Sequence, residues 1–390
     1  MNQKDKKIWI FAGEASGDLY GAQLAEEMRQ LGKQNNVKVK VEGMGGPAMK
    51  EAGVNILVDS TELGVVGLIE VLKHIFTFIK IFRFLVNKAI TEKPDAIILI
   101  DYPGFNLRFA ARMHKHNIPV IWYISPHVWT WGKKRIPKLA KFCRKMLVIF
   151  PFETEVYKPS GLDTEFVGHP LVDIVRNRRD KSITRDPDTL LLLPGSRAME
   201  VNRLLLPMLQ TAETLYKRHP NLKFVISTPR PKVFKMCQRV LSDFRTTNPD
   251  APEFKLTCGD TPYWQQRAGT GLAASGTVTV ESAIAGLPLV VAYKLNWLTL
   301  LVASMVVKLY RGFFTMVNII ANKEVFEEFL QWHVNSKELS QAVEKILPGG
   351  PKRARVESDI NKVARQLSGG SEGALYKAAK ACFEFTTKNL

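Results

Sequence analysis

Asp101 closes an unbroken apolar run, residues 96–100, and opens the stretch D-Y-P-G-F-N (101–106). Such a run predicts a strand covered on both faces of a parallel sheet, and open α/β sheets take their ligands at the C-terminal ends of their strands. A carboxylate at that end can accept a proton from an attacking hydroxyl, which is general-base work; it can equally anchor loop amides. Asn106 could orient a sugar or a loop. In the second half of the chain, P-G-S-R-x-x-E (194–200) and S-G-T-V-T-V-E (275–281) both read as strand ends running into helices. A helix start offers unpaired N–H groups and partial positive charge, which suit a phosphate. Ser196 can cap the first helix, with Glu200 in its first turn, and Arg197 can fork onto phosphate oxygens. At the second, Ser275, Gly276 and Thr277 let a ligand approach the backbone, and Glu281 can receive two ribose hydroxyls. Two such starts point to a nucleoside diphosphate, with an ordinary capped helix as the alternative for the first. A Walker lysine and a carboxylate pair for magnesium are both missing, which argues against phosphoryl transfer.

A third turn stands near the N-terminus. Residues 8–11 are apolar, Gly13, Gly17 and Gly21 follow at a spacing of four, and a helical pattern sets in from Asp18. That spacing is not the G-x-G-x-x-G dinucleotide signature, and Glu14 and Asp18 would repel a phosphate. A neutral, hydroxyl-bearing ligand fits this turn, with Gly13, Glu14, Ser16 and Asp18 facing it. The alternative is a glycine turn that lets a helix pack close to a sheet. His127 and His169 have no partner at metal-ligand spacing, and the four cysteines match no zinc or disulfide pattern, so no metal site is predicted. Trp129 and Trp131, followed by Lys133, Lys134 and Arg135, form an aromatic-basic cluster that suits an anionic headgroup or a solvated face.

These turns need elements to hold them. Apolar runs predict strands at 8–11, 37–41, 96–100, 119–124 and 146–150, then at 189–193, 223–227, 271–274 and 288–292, with helices between them. Alternation in both halves predicts two doubly wound α/β domains facing across a cleft. A charged stretch, 176–188, marks the boundary. The expected domains are 1–175, 176–365 and a C-terminal segment, 366–390, whose helix from about 373 to 386 packs back toward the first domain.

The chain has 390 residues and a formal net charge of +18. That surplus suits an anionic partner, and without a nucleic-acid-binding motif it favours a membrane surface. Residues 65–90 are oily and basic together: Val66, Leu68, Ile69, Leu72, Phe76, Phe78 and Phe82 alternate with Lys73, Lys80, Arg83 and Lys88, and no acid falls between Glu70 and Glu92. The run is too interrupted to span a bilayer and reads as interfacial, with a buried core helix as the alternative. Neither a secretory leader nor disulfide spacing is visible, so a reduced, cytoplasmic setting is expected.

Taken in order, the motifs resemble those of the lipid-A-disaccharide synthase family: G-E-A-S-G-D (13–18), G-V-V-G-L-I-E-V-L (64–72), D-Y-P-G-F-N (101–106), S-P-H-V-W-T-W (125–131), V-G-H-P (167–170), L-P-G-S-R-A-M-E-V (193–201), S-G-T-V-T-V-E (275–281) and N-I-I-A-N-K-E-V (318–325). The resemblance implies a glycosyltransferase-B fold working without metal or cofactor. It implies transfer of 2,3-diacylglucosamine from UDP-diacylglucosamine to 2,3-diacylglucosamine 1-phosphate (lipid X), with inversion. Asp101 becomes the base. Ser196, Arg197, Glu200, Ser275, Gly276, Thr277, Glu281, Asn318 and Glu324 fall to the UDP side, and Gly13, Glu14, Ser16, Asp18, Asn106, Ser125 and Trp129 to the acceptor side. A peripheral place on the cytoplasmic face of the inner membrane and a homodimer through the C-terminal region are implied too. The chain departs from the family at His127 (usually serine), at Met316 and Val317 (leucine-proline), and at Asn322 and Lys323 (glycine and arginine). Two rivals stand beside this reading. A UDP-sugar 2-epimerase on the same fold would leave the 65–86 surface unexplained, and a non-catalytic lipid-binding protein would not need Arg197 and Glu281.

Overall fold

The computed structural model describes residues 4–60, 68–294 and 312–388. The chain divides into two compact units, one of residues 1–173 with 367–390 and the other of residues 174–366.

The first unit is built on seven parallel strands: β1 (Lys4–Ala12), β2 (Val37–Gly45), β3 (Asn55–Asp59), β4 (Ala96–Ile100), β5 (Val120–Tyr123), β6 (Lys145–Val148) and β7 (Thr164–Phe166), in the order β3-β2-β1-β4-β5-β6-β7. The order reverses between β1 and β4, whose last residues pair, Ala12 with Ile100. That switch point is where doubly wound sheets bind ligands. On one face Trp9, Phe11, Leu99 and Trp122 meet Phe105 and Phe109 of the helix Pro103–Lys115. The other face takes the helix Ala15–Gln34, along which the C-terminal helix Ala374–Lys388 packs. Gly21 permits that close approach, since a Cβ there would lie 3.3 Å from Ile10 and Ile100.

The helix Leu68–Glu92 corrects part of the interfacial reading. Phe82 turns inward, edge-on to Phe105 at 5.4 Å and Phe109 at 6.1 Å, and Phe78 also packs on the core. Burying two aromatics against the sheet outweighs leaving them in water. The outward apolar residues are Phe76, Ile79 and Phe84, which are 81%, 42% and 48% exposed. Val66 and the side chains of Leu68, Ile69 and Leu72 lie outside the described ones. Among the described residues, no helix is long and apolar enough to cross a membrane.

The second unit has six parallel strands: β8 (Asp186–Leu193), β9 (Lys223–Thr228), β10 (Phe254–Cys258), β11 (Ala268–Ala274), β12 (Leu289–Tyr293) and β13 (Glu327–Leu330), ordered β10-β9-β8-β11-β12-β13. Its switch point falls between β8 and β11, which lead to the two helix starts singled out by sequence. The charged 176–188 stretch is shorter than expected as a linker. The helix Pro170–Asn177 enters it and β8 begins at Asp186. Every strand missing from the sequence reading (β3, β7, β10 and β13) is a sheet edge. An edge strand is covered less, so its residues need not form a continuous apolar run.

Candidate active site

At the β1/β4 switch point the backbone is strained. Asp101, Tyr102 and Ile124 have φ of 42°, 47° and 66°, a left-handed region that costs non-glycine residues about 1–3 kcal/mol each. All three line one shallow hollow, whose other wall is the start of the helix Ala15–Gln34 at Glu14, Ser16, Gly17 and Tyr20. Surrounding bonds hold the strain. The Asp101 N–H donates to the Tyr123 carbonyl at 3.0 Å, and the Asn106 amide donates to the carbonyls of Ile100 (3.3 Å) and Asp101 (2.7 Å). Gly13 is needed because the Tyr102 ring lies over it, 2.4 Å from where a Cβ would stand.

The Asp101 carboxyl is pushed up to about 6, first by burial and then by the Glu14 charge, while the Tyr102 N–H pulls it the other way. The residue stays open to solvent on one side, so a crowded acid is still reachable. Such a group is largely ionised near neutrality and more basic than an ordinary carboxylate, which suits proton abstraction.

Other residues expected on this side do different work. Asp18 is 5% exposed. One of its oxygens accepts from the Gly46 and Met49 N–H groups (2.7 and 3.1 Å) and the other from Ala48 (2.9 Å). It caps the helix Pro47–Glu51, with both of its oxygens taken up by backbone N–H groups. Asn106 is wholly buried and ties the strand end. Ser125 is buried against the Tyr157 hydroxyl at 2.8 Å and the Pro126 carbonyl at 3.0 Å. Trp129 packs edge-on to His127 and Phe152. Glu14 and Ser16 remain exposed at the hollow. Tyr20, Tyr102 and Ile124 were missed as lining residues. Neither Tyr102 nor Ile124 carries a signal, since a residue before proline is pushed toward extended backbone and Tyr102 is left-handed.

In the second unit, Ser196 does not cap. Its N–H donates to Glu200 Oε2 at 2.8 Å and the Arg197 N–H to the same oxygen at 3.2 Å, while Arg197 Nη1 reaches Oε1 at 3.1 Å. The Glu200 carboxylate therefore sits where an anion would at the start of the helix Ala198–Tyr216. Gly195 makes room for it: a Cβ would lie 2.4 Å from that carboxylate. The start of the helix Thr277–Ile284 is open by contrast. Gly276 and Thr277 are exposed, and nothing lies within 4 Å of a Cβ built on Gly276. Burial raises the Glu281 carboxyl against the pull of Arg178 and Gln265.

Asn318 is spent on its own loop. Its Oδ1 accepts from the Val325 and Phe326 N–H groups at 2.9 Å each, and its amide donates to the Phe326 carbonyl and Glu328 Oε1 at 2.8 Å each. Glu324 is a surface group 3.7 Å from Lys352 and 3.8 Å from Arg355. His169 is buried, accepts from the Leu171 N–H at 3.2 Å and is pushed down to about 3 by burial, so it is a neutral structural residue. Among the described residues, no three His, Cys, Asp or Glu side chains converge as metal ligands would.

The family model described as Lipid-A-disaccharide synthetase matches residues 8–381. The Lipid-A-disaccharide synthase of Koribacter versatilis (strain Ellin345) is 35% identical over 391 residues, covering 96% of this chain and 97% of that protein. Among solved structures, the putative UDP-N-acetylglucosamine 2-epimerase from Listeria monocytogenes is similar at a TM-score of 0.65 and 11% identity, covering 97% of this chain and 95% of that one. UDP-GlcNAc 2-epimerase from Neisseria meningitidis, bound to UDP-GlcNAc, is similar at 0.61 and 11%, covering 99% and 100%. At these identities the structural likeness carries the fold, two Rossmann-like domains of the glycosyltransferase-B kind.

Proposed function

The chain belongs to the lipid-A-disaccharide synthase family, glycosyltransferases that form the lipid A disaccharide, and we propose that Asp101 is the base of its transfer reaction. The carrying observation is the strained hollow, which holds a carboxyl at about 6 with one side open. In this reading the acceptor is lipid X and the donor UDP-2,3-diacylglucosamine. Asp101 takes the proton from the acceptor hydroxyl as that oxygen attacks the anomeric carbon and UDP leaves. Tyr102 over Gly13, with Glu14 and Ser16 opposite, gives the sugar a wall with room for hydroxyls.

The departing diphosphate is assigned to the open start at Gly276 and Thr277, because Glu200 already fills the corresponding position at Ser196 and Arg197. Backbone N–H groups aimed at developing charge stabilise the leaving group. Arg197, whose side chain is 72% exposed although paired with Glu200, adds a cation. Glu281 is assigned the ribose hydroxyls.

Peripheral attachment to the cytoplasmic face of an anionic inner membrane completes the proposal. Supporting it, residues 102–144 contain nine cations (Arg108, Arg112, Lys115, Lys133, Lys134, Arg135, Lys138, Lys141 and Arg144) and no acid. Phe82 ties the helix Leu68–Glu92, which carries the exposed Phe76, Ile79 and Phe84, to the helix Pro103–Lys115. Cations beside insertable aromatics suit anionic headgroups.

The test is to supply UDP-diacylglucosamine and lipid X and measure UDP and disaccharide. Wild type should form both. Asp101→Asn should lose roughly 10²- to 10⁴-fold in rate while remaining folded; near-native turnover would remove Asp101 from the chemistry. Turnover of the donor without acceptor would favour the epimerase.

A further inference from the structure

Tyr102 stands between the proposed base and the helix Pro103–Lys115, and its backbone is left-handed, with φ 47° and ψ 55°. A residue before proline is pushed toward extended backbone, and Asp101 ahead of it is left-handed too, at φ 42°. Two such residues in succession are costly, so the surroundings must hold them. Backbone bonds do part of this, since the Tyr102 carbonyl accepts from the Phe105 and Asn106 N–H groups at 3.2 and 3.1 Å. The half-buried ring does more. It stacks on Phe105, with centroids 6.2 Å and planes 29° apart. It also lies over Gly13, where an added Cβ would fall within 2.7 Å of its Cγ, Cδ1 and Cδ2. Ala12 pairs with Ile100 in the sheet, so Gly13 and Asp101 are the first residues past that rung on adjacent strands. The ring therefore ties the turn after β4 to the turn after β1, the two turns that bring Asp101 and Glu14 to the hollow.

We propose that Tyr102 is a positioning residue for the glycosyl transfer: its ring, clasped on Gly13, holds the left-handed turn that aims the Asp101 carboxyl at the acceptor. Truncating the ring leaves the backbone bonds of the turn but releases its tie to the turn after β1. The Asp101–Tyr102 pair is then free to relax toward the extended backbone that proline favours, and the carboxyl moves with it. A shift of about 1 Å at a reacting group costs on the order of 100-fold in rate. Glycine at position 13 is the other half of the clasp, because any side chain there displaces the ring. The phenol hydroxyl plays no part, which separates the clasp from a hydrogen-bonding role for Tyr102. The effect on turnover rests on Asp101 being the base; the clasp between Gly13 and Tyr102 does not.

The experiment is a double-variant cycle on the full chain, with kcat and KM measured from UDP release and the fold followed by urea unfolding. Tyr102→Ala should lower kcat by roughly tenfold to 100-fold, with KM for UDP-diacylglucosamine unchanged. Tyr102→Phe keeps the ring and should recover most of that kcat. Gly13→Ala displaces the ring and should lower kcat as far. The double variant Gly13→Ala/Tyr102→Ala has no ring to displace and should be no slower than Tyr102→Ala alone. Where Gly13→Ala alone fails to fold, the double variant should fold. Losses that multiply in the double variant, a Tyr102→Phe enzyme as slow as Tyr102→Ala, or an effect confined to KM for the donor would each overturn the proposal. Urea unfolding of the same cycle should be non-additive as well, without reference to Asp101. Near-native turnover of Asp101→Asn with that non-additivity intact fails the base assignment alone, and an additive cycle beside an inactive Asp101→Asn fails the clasp alone.

Discussion

Replacing Glu14 by Gln tests the electrostatics of the hollow without touching the group held to do the chemistry. Asp101 sits at about 6, with burial the larger cause and the Glu14 charge the second. A base must be ionised, so kcat/KM should fall as pH drops through that value. At pH 5, with the carboxyl at about 6, only about a tenth of Asp101 is ionised, and the rate should be about a tenth of its plateau. Removing the Glu14 charge while keeping its shape leaves burial in place and should lower the Asp101 value by roughly half a unit to one unit. The ionised fraction at pH 5 then rises to roughly one quarter to one half. The variant should therefore be about two- to fivefold faster than wild type at pH 5, relative to each enzyme's plateau. UDP release in matched buffers of constant ionic strength measures this. An acid limb that stays put or moves upward would refute the coupling. A limb that survives in Asp101→Asn would show that another group titrates.

Three further outcomes follow from the same structure. Asp18→Ala strands three backbone N–H groups and should cost roughly 2–4 kcal/mol in denaturant unfolding with KM for the donor unchanged; a loss below about 0.5 kcal/mol would mean that the cap is dispensable. Phe82→Ala should cost about 2–4 kcal/mol, whereas Phe76, Ile79 and Phe84 changed together to Ser should cost far less and weaken binding to anionic vesicles; the reverse pattern would invert the assignment of the two faces. Glu200→Ala removes the acceptor of two N–H groups and should cost about 1–2 kcal/mol, yet calorimetry should find UDP affinity within about twofold of wild type, since the diphosphate is assigned to Gly276 and Thr277. A tenfold gain, with the vacated N–H groups taking the phosphate, would move the diphosphate to Ser196 and Arg197.

The nine strands legible in the sequence are all interior to their sheets, and the four that were not are the edges. β4 reads A-I-I-L-I because both of its faces are covered. β13 reads E-E-F-L because it pairs on one side only, with β12, and two of its carboxylates reach outward to cations or loop donors. The same physics limits the helix Leu68–Glu92. Its composition announces an apolar surplus, but whether Phe82 or Phe84 faces the sheet depends on where Phe105 and Phe109 stand. Asp101 could be nominated from sequence because strand ends are where α/β sheets present chemistry. The hydrogen bonds of Asp18 and Asn318 were not legible because the backbone groups they satisfy come from other segments: 28 to 31 residues away for Asp18 and at least seven for Asn318. No local pattern reports such a debt.

Residue type and position therefore nominate candidates, and hydrogen-bond capacity sorts them. An ionised carboxylate has about four lone-pair sites. Asp18 gives its oxygens three N–H donors, and Glu200 receives two plus a guanidinium. Glu328 takes the N–H groups of Phe314 and Thr315, the Thr315 hydroxyl and the Asn318 amide. Groups so occupied can fasten a loop but have little left to offer a reactant. Asp101 is different in kind: its fold supplies one N–H, crowds it against Glu14 and leaves a side open. Glu281 shares part of that character, raised by burial with only Arg178 and Gln265 in opposition, beside a helix start that, unlike the one at Ser196 and Arg197, is not filled by its own acid. A base needs an unfilled lone pair, and a hydroxyl-binding carboxylate needs one too. On that criterion Asp101 stays a candidate in the first unit and Glu281 in the second, and the proposed transfer gives the first a hydroxyl to deprotonate and the second two hydroxyls to hold.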